Sequence, residues 1–121
     1  MENIEIKSTP KSPEVLFNLN GKLVLKGISI LDSAHDFYTP LIEWSKKYLK
    51  EPAEKTEIII DLEFFNTSSQ LKIFELLSLF AELTKKGKEV EIIWYYEEDD
   101  IKEIGEDMAN LLGMDFQFIK K

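Results

Sequence analysis

The sequence predicts an α/β fold in which an N-terminal β-hairpin leads into alternating strands and helices, with the helices packed on a mixed central sheet. Three observations carry this. Apolar runs at Val15–Leu19 and Lys22–Lys26 flank Asn20-Gly21, a dipeptide suited to a type I′ turn because both central positions of that turn need positive φ. The nearly continuous run Ile58-Ile59-Ile60, Leu62, Phe64, Phe65 predicts a strand buried on both faces, as in a parallel sheet. From there to the end, apolar strand-like runs alternate with segments of helical period.

Taken in order, Pro10 and Pro13 fall within residues 1–13 in a polar stretch with Ser8, Thr9, Lys11 and Ser12. They predict an extended lead-in to a single domain spanning residues 1–121. After the hairpin, Phe37, Leu41, Trp44 and Tyr48 fall at i, i+4, i+7 and i+11 and form one apolar stripe. That helix is expected to begin between Asp36 and Pro40 and to end near Lys50, with Thr39-Pro40 suited to cap and first position. A start at Asp36 would place Pro40 deeper, where its missing N–H becomes costly. The strand Thr56–Phe65 meets Asn66-Thr67-Ser68-Ser69, a cluster of N-capping residues, and a helix then runs to about Lys86 before Gly87. Val90–Tyr96 is the next strand. Glu97–Asp100 places acid at the start of a third helix striped by Ile101, Ile104, Met108, Leu111 and Leu112 and closed by Gly113. Asp115–Ile119 alternates as a last strand. The expected order is β-β-α-β-α-β-α-β with right-handed crossovers.

Composition narrows the function. The 15 Lys+Arg against 23 Asp+Glu leave a formal charge of −8, which disfavours nucleic acid and anionic membrane as partners. Without cysteine there are no disulfides, zinc–thiolate sites or thiol nucleophiles. Met1-Glu2-Asn3-Ile4-Glu5 lacks the basic and apolar regions of a signal peptide. No apolar run approaches the ~20 residues of a membrane span. The expected location is the cytoplasm.

No catalytic set stands out. His35 is the one histidine and lies in a polar connection; no G-x-S-x-G elbow or Gly-rich phosphate loop occurs. Asp61/Glu63 and Glu97–Asp100 have the chemistry to hold Mg²⁺, but they read as solvated carboxylates on a strand end and a helix start. A non-enzymatic protein without metal or cofactor is expected. The unusual element is Asn66-Thr67-Ser68-Ser69, where a predicted parallel strand gives way to a helix. That edge is where open α/β sheets carry their sites, and a helix N-terminus favours an anion. Capping needs only one such residue. The helix that follows carries Leu71, Ile73, Phe74, Leu76, Leu77, Leu79, Phe80 and Leu83 nearly all round, as a helix deeply buried or covered by a partner does.

Several of these segments together resemble the SiaC family of bacterial regulatory phosphoproteins, whose fold is similar to STAS domains of the anti-sigma-factor-antagonist type. They are Ser8-Thr9-Pro10, Gly27-Ile28-Ser29, the Phe37 to Leu49 helix with Leu41-Ile42-Glu43-Trp44, then Phe65-Asn66-Thr67-Ser68-Ser69 and Trp94-Tyr95-Tyr96. The resemblance covers nearly the whole chain, and the N-T-S-S element is its most specific part. It implies a signalling switch. The threonine of that element, here Thr67, is phosphorylated by a cognate Ser/Thr kinase and reset by a PP2C-type phosphatase. The unmodified form binds and activates a diguanylate cyclase, raising cyclic-di-GMP and favouring biofilm. Asn66, Ser68, Ser69 and Leu71 are then the expected docking residues around the phosphosite, and Ser68 and Ser69 are the alternative acceptors. Two other readings remain open: partner switching of the anti-sigma-factor-antagonist type, and a small-ligand or enzymatic domain using the Asn66–Ser69 loop.

Overall fold

Three short strands open the chain as an antiparallel meander: β1 (Ile4–Ile6), β2 (Glu14–Phe17) and β3 (Lys22–Ser29). From β3 onward every strand is reached through a helix. The computed structural model describes residues 1–121, and the order continues α1 (Ala34–Tyr48), β4 (Lys55–Phe65), α2 (Thr67–Lys85), β5 (Glu89–Tyr96), α3 (Asp99–Leu112) and β6 (Phe116–Lys120). The six strands form one mixed sheet in sequential order, β1-β2-β3-β4-β5-β6, with β3 to β6 parallel.

That order decides the layering. Successive right-handed crossovers between neighbouring parallel strands put every helix on the same side. Burial follows: Val15, Phe17, Leu23, Leu25, Ile58, Ile60, Ile92 and Trp94 share one face by register and are all buried. On the other face Leu16 is exposed, and Val24, Ile59 and Ile93 are only half-buried. The expectation that β4 is covered on both faces is therefore corrected. Its isoleucine run reflects the fit of β-branched side chains to a pleated surface, not burial between two layers.

The lead-in is also corrected. Residues Ile4–Ile6 pair with β2, so the sheet has one strand more than expected. The link between β1 and β2 is a turn in which Thr9 N–H donates to the Ser12 carbonyl at 2.9 Å and Ser12 N–H to Thr9 Oγ1 at 3.0 Å. Further ties come from the Trp44 indole N–H to the Glu2 carbonyl at 2.6 Å and from Ile30 N–H to the Lys11 carbonyl at 2.8 Å.

The β2–β3 hairpin forms where Asn20-Gly21 predicts it, but not as a type I′ turn. No residue other than glycine has positive φ, so Gly21 (φ 105°) alone takes the left-handed position. Gly21 N–H donates to the Asn18 carbonyl and Asn18 N–H to the Lys22 carbonyl, each at 3.0 Å. This is the wider turn-plus-bulge loop. A side chain at Gly21 would collide with the Lys55 carbonyl oxygen.

The first helix starts earlier than predicted, at Ala34, and takes Pro40 inside it. Pro40 and Asp36 are both exposed, so the Asp36 carbonyl that loses its helical donor faces water, which lowers the cost. Next, α2 lies between α1 and α3. This central place accounts for its apolar girth, since Ile73, Leu76, Leu77, Phe80 and Leu83 all lie in the core.

Close approach of α3 to the sheet depends on Gly105. A Cβ there would lie 2.6 Å from Cε2 of Trp94 and 2.9 Å from Cε1 of Phe118. The Trp94 ring is pinned from the same helix, its indole N–H donating to the Ile101 carbonyl at 3.1 Å. Gly105→Ala is expected to lower stability by about 1–3 kcal/mol through overpacking, against the gain alanine normally brings to a helix. Chemical denaturation of the two proteins measures the difference.

Candidate functional site

The N-terminus of α2 sits at the C-terminal edge of the parallel strands, directly after β4. Asn66 is its N-cap, with extended backbone (φ −83°, ψ 172°). Every polar group of Asn66 is engaged. Its Oδ1 accepts from Ser69 N–H at 3.0 Å and from the Ser68 hydroxyl at 3.3 Å. Its Nδ2 donates to the Leu31 carbonyl at 3.1 Å. Its backbone N–H donates to the Ser29 carbonyl at 3.0 Å, and its carbonyl accepts from Gln70 N–H at 2.9 Å. One side chain thus joins the start of α2 to the connection between β3 and α1.

Beneath it lies a buried chain of hydroxyls. Ser29 Oγ donates to Ser69 Oγ at 2.8 Å and lies 2.8 Å from the Tyr38 hydroxyl. Ser29 has a single hydroxyl proton and gives it to Ser69, so Tyr38 donates to Ser29. All three residues are fully buried, and every buried side-chain polar atom of the protein has a hydrogen-bond partner. Burial pushes the Tyr38 phenol up from 10.0 to about 12.

The four polar residues therefore divide. Asn66 caps and Ser69 is locked into the core, while Thr67 and Ser68 are exposed. The Ser69 hydroxyl is set apart from the surface where Asn66, Thr67, Ser68 and Leu71 lie. Thr67 is the first helical residue, and no acidic side chain shares that first turn. At this position N–H groups lack helical acceptors and the helix dipole favours negative charge.

One turn on from Thr67, Leu71 is 66% exposed. It opens an apolar groove of about 280 Å³ between α2 and α3, lined by Gln70, Leu71 and Phe74 from one helix and Ile104, Asp107, Met108 and Leu111 from the other. Leu111 is 77% exposed. The surplus apolar surface of α2 is thus mostly core, with its one exposed apolar residue, Leu71, near the N-terminal end of the helix. The stripe on α3 was visible in the sequence, but its contribution to this groove was not. Nor were Ser29 and Tyr38 as supports of the site, for their role depends on contacts between distant segments. The other polar candidates lie apart: Asp61 is held by Lys121 Nζ at 2.9 Å, and His35 is exposed in the first turn of α1.

A model of the SiaC family of regulatory phosphoproteins matches residues 6–121. The chain belongs to the SiaC family. It is 24% identical over 98 residues to an uncharacterized protein of Pseudomonas aeruginosa strain UCBPP-PA14, covering 80% of this chain and 78% of that one. Its fold matches the crystal structure of apo-SiaC from Pseudomonas aeruginosa with a TM-score of 0.87 at 23% identity, covering 100% of this chain and 99% of the other. It also matches a chain in the crystal structure of the diguanylate cyclase SiaD in complex with its activator SiaC, from the same organism. There the TM-score is 0.89 at 21% identity, covering 98% of this chain and 99% of the other. At these identities the likeness to the solved SiaC structures is one of fold.

Two outcomes follow from the site's construction. Asn66→Ala removes the cap and the tie to Leu31 and is expected to cost about 1–2 kcal/mol, whereas Ser68→Ala at the exposed neighbour leaves stability nearly unchanged; thermal melts compare them. Between pH 10 and 12 the Tyr38 phenol ionises in the unfolded chain but stays neutral in the fold. Its contribution is therefore complete below pH 10 and is lost as pH rises through about 12. Denaturation across this range should show a decline of about 1–3 kcal/mol that is reduced in Tyr38→Phe.

Proposed function

We propose that this member of the SiaC family is a non-enzymatic binding protein switched by phosphorylation of Thr67. The observation that supports the reading is the placement of an exposed threonine at the positive end of α2, one turn from Leu71 and the apolar α2–α3 groove. A phosphate at Thr67 adds about −1.5 to −2 charge. The helix dipole tolerates that charge, favouring it by about 0.3–1 kcal/mol. A partner seated on the groove must instead desolvate it, which is costly. One modification can therefore leave the fold intact and abolish docking.

In this reading Asn66, Ser68 and Leu71 belong to the docking surface, while Ser69 acts from beneath by holding the helix start in place. A cognate Ser/Thr kinase writes the phosphate and a PP2C-type phosphatase removes it, both in the cytoplasm. The unmodified form binds and activates a diguanylate cyclase, as the SiaC of the Pseudomonas aeruginosa complex is the activator of SiaD. The output is a rise in cyclic-di-GMP and, through it, biofilm formation.

Incubation with ATP and the cognate kinase, followed by tandem mass spectrometry, is expected to place one phosphate on Thr67 and none on the Thr67→Ala variant. Phosphate on Ser68 alone contradicts the assignment. Leu71→Ala is expected to weaken cyclase binding by about 1–2 kcal/mol, roughly 5- to 30-fold, with an unchanged melting temperature because the side chain is exposed. Calorimetric titration of the cyclase with each protein measures it.

A further inference from the structure

The sheet face turned away from the helices carries an ordered pattern of its own. Strand register sorts its side chains into rows, and the middle row runs Leu16, Val24, Ile59, Ile93 across β2 to β5. On either side of that row β3 presents Lys22 and Lys26, and beside them β4 presents Glu57 and Asp61. Lys22, Lys26 and Glu57 take part in none of the five ion pairs of the molecule. A depression of about 250 Å³ between Leu16, Lys22 and Val24 opens on this face. No helix covers it, and monomers seldom leave such an apolar band bare.

The geometry points to a second copy of this chain as the occupant. A two-fold axis running along the strands, midway between β3 and β4, lays each β3 over the β4 of the other copy with the rows in register. Lys22 then faces Glu57 across the interface, Lys26 faces Asp61, and Val24 meets Ile59. In the same arrangement β2 lies over β5, so that Leu16 meets Ile93. A two-fold axis running across the strands would instead set each β3 on the other β3 and bring Lys22 against Lys26, which is repulsive. The charge pattern therefore selects both the partner and its orientation. Four strands of five residues span roughly 19 by 17 Å, small beside the ~800 Å² per partner of a standard interface. The dimer is accordingly weak, with a dissociation constant on the order of 10–100 µM. The α2–α3 groove lies on the opposite side of the sheet, so this association and the Thr67 switch stand or fall separately.

Sedimentation velocity of the full chain at low salt, from about 5 to 500 µM, tests the proposal. The wild type is expected to shift from monomer to dimer over this range. Lys22→Glu and Glu57→Lys each place like charges across the interface and should weaken self-association by about tenfold or more. An equimolar mixture of the two variants restores opposite charges at both positions and should associate more tightly than either variant alone. Thermal melts establish that the variants are folded, and the matched pair Lys26→Glu and Asp61→Lys replaces Lys22→Glu and Glu57→Lys if either of these does not fold. A wild type that stays monomeric throughout leaves the face to another protein or to water and overturns the proposal. A mixture that associates no better than its components overturns it too.

Discussion

The side chain of Asn66 holds the start of α2 to the β3–α1 connection, accepting from Ser69 N–H and the Ser68 hydroxyl while donating to the Leu31 carbonyl. These contacts fix where the helix begins and therefore which of its first residues face outward. They work together with the buried hydroxyl chain of Ser69, Ser29 and Tyr38, which leaves no polar group stranded in the core. A helix start anchored from three elements at once is rigid. In the proposed switch, that anchoring is what would let a single added charge at Thr67 act on a partner without loosening the domain.

The layering serves the same end. Because all three helices lie on one side of the sheet, α2 is held between α1 and α3 and its core-facing residues are shared with both the sheet and its neighbours. Its one exposed large apolar residue, Leu71, lies in its first turns, where it and Phe74 line a groove with Ile104, Met108 and Leu111 of α3. The packing that keeps α2 in place thus also builds the groove beside its N-terminus.

Much of this was legible in the sequence where local chemistry decides the outcome. An N-cap within Asn66–Ser69, the helix stops at Gly87 and Gly113, and the alternation of strands and helices from β4 to β6 follow from residue type and period, and the structure has them, with Asn66 as the cap. Long-range decisions were not legible. Three-residue β1 is specified by its pairing of Ile4 with Phe17 and by Trp44 reaching back to Glu2, not by its own propensity. The early start of α1 has Ser33 at its N-cap without a side-chain capping bond, while Ala34 and Tyr38 are buried there. One-sided covering of the sheet depends on strand order, which no single run of isoleucines reveals. Ser69 looks like its neighbours in sequence and differs only because Ser29, forty residues away, meets it in the core.

The central claim is that negative charge at Thr67 blocks docking while the fold persists. Titration of isotope-labelled chain with the cyclase, followed by NMR, compares the unmodified protein with the stoichiometrically phosphorylated one most directly. The account predicts that the two free proteins give the same core signals. It also predicts that the unmodified chain shows perturbations along α2 and α3 around Leu71 and Leu111, and that phosphorylation weakens binding by about tenfold or more. Equal affinity of the two forms, or perturbations confined to surfaces away from the start of α2, would contradict it.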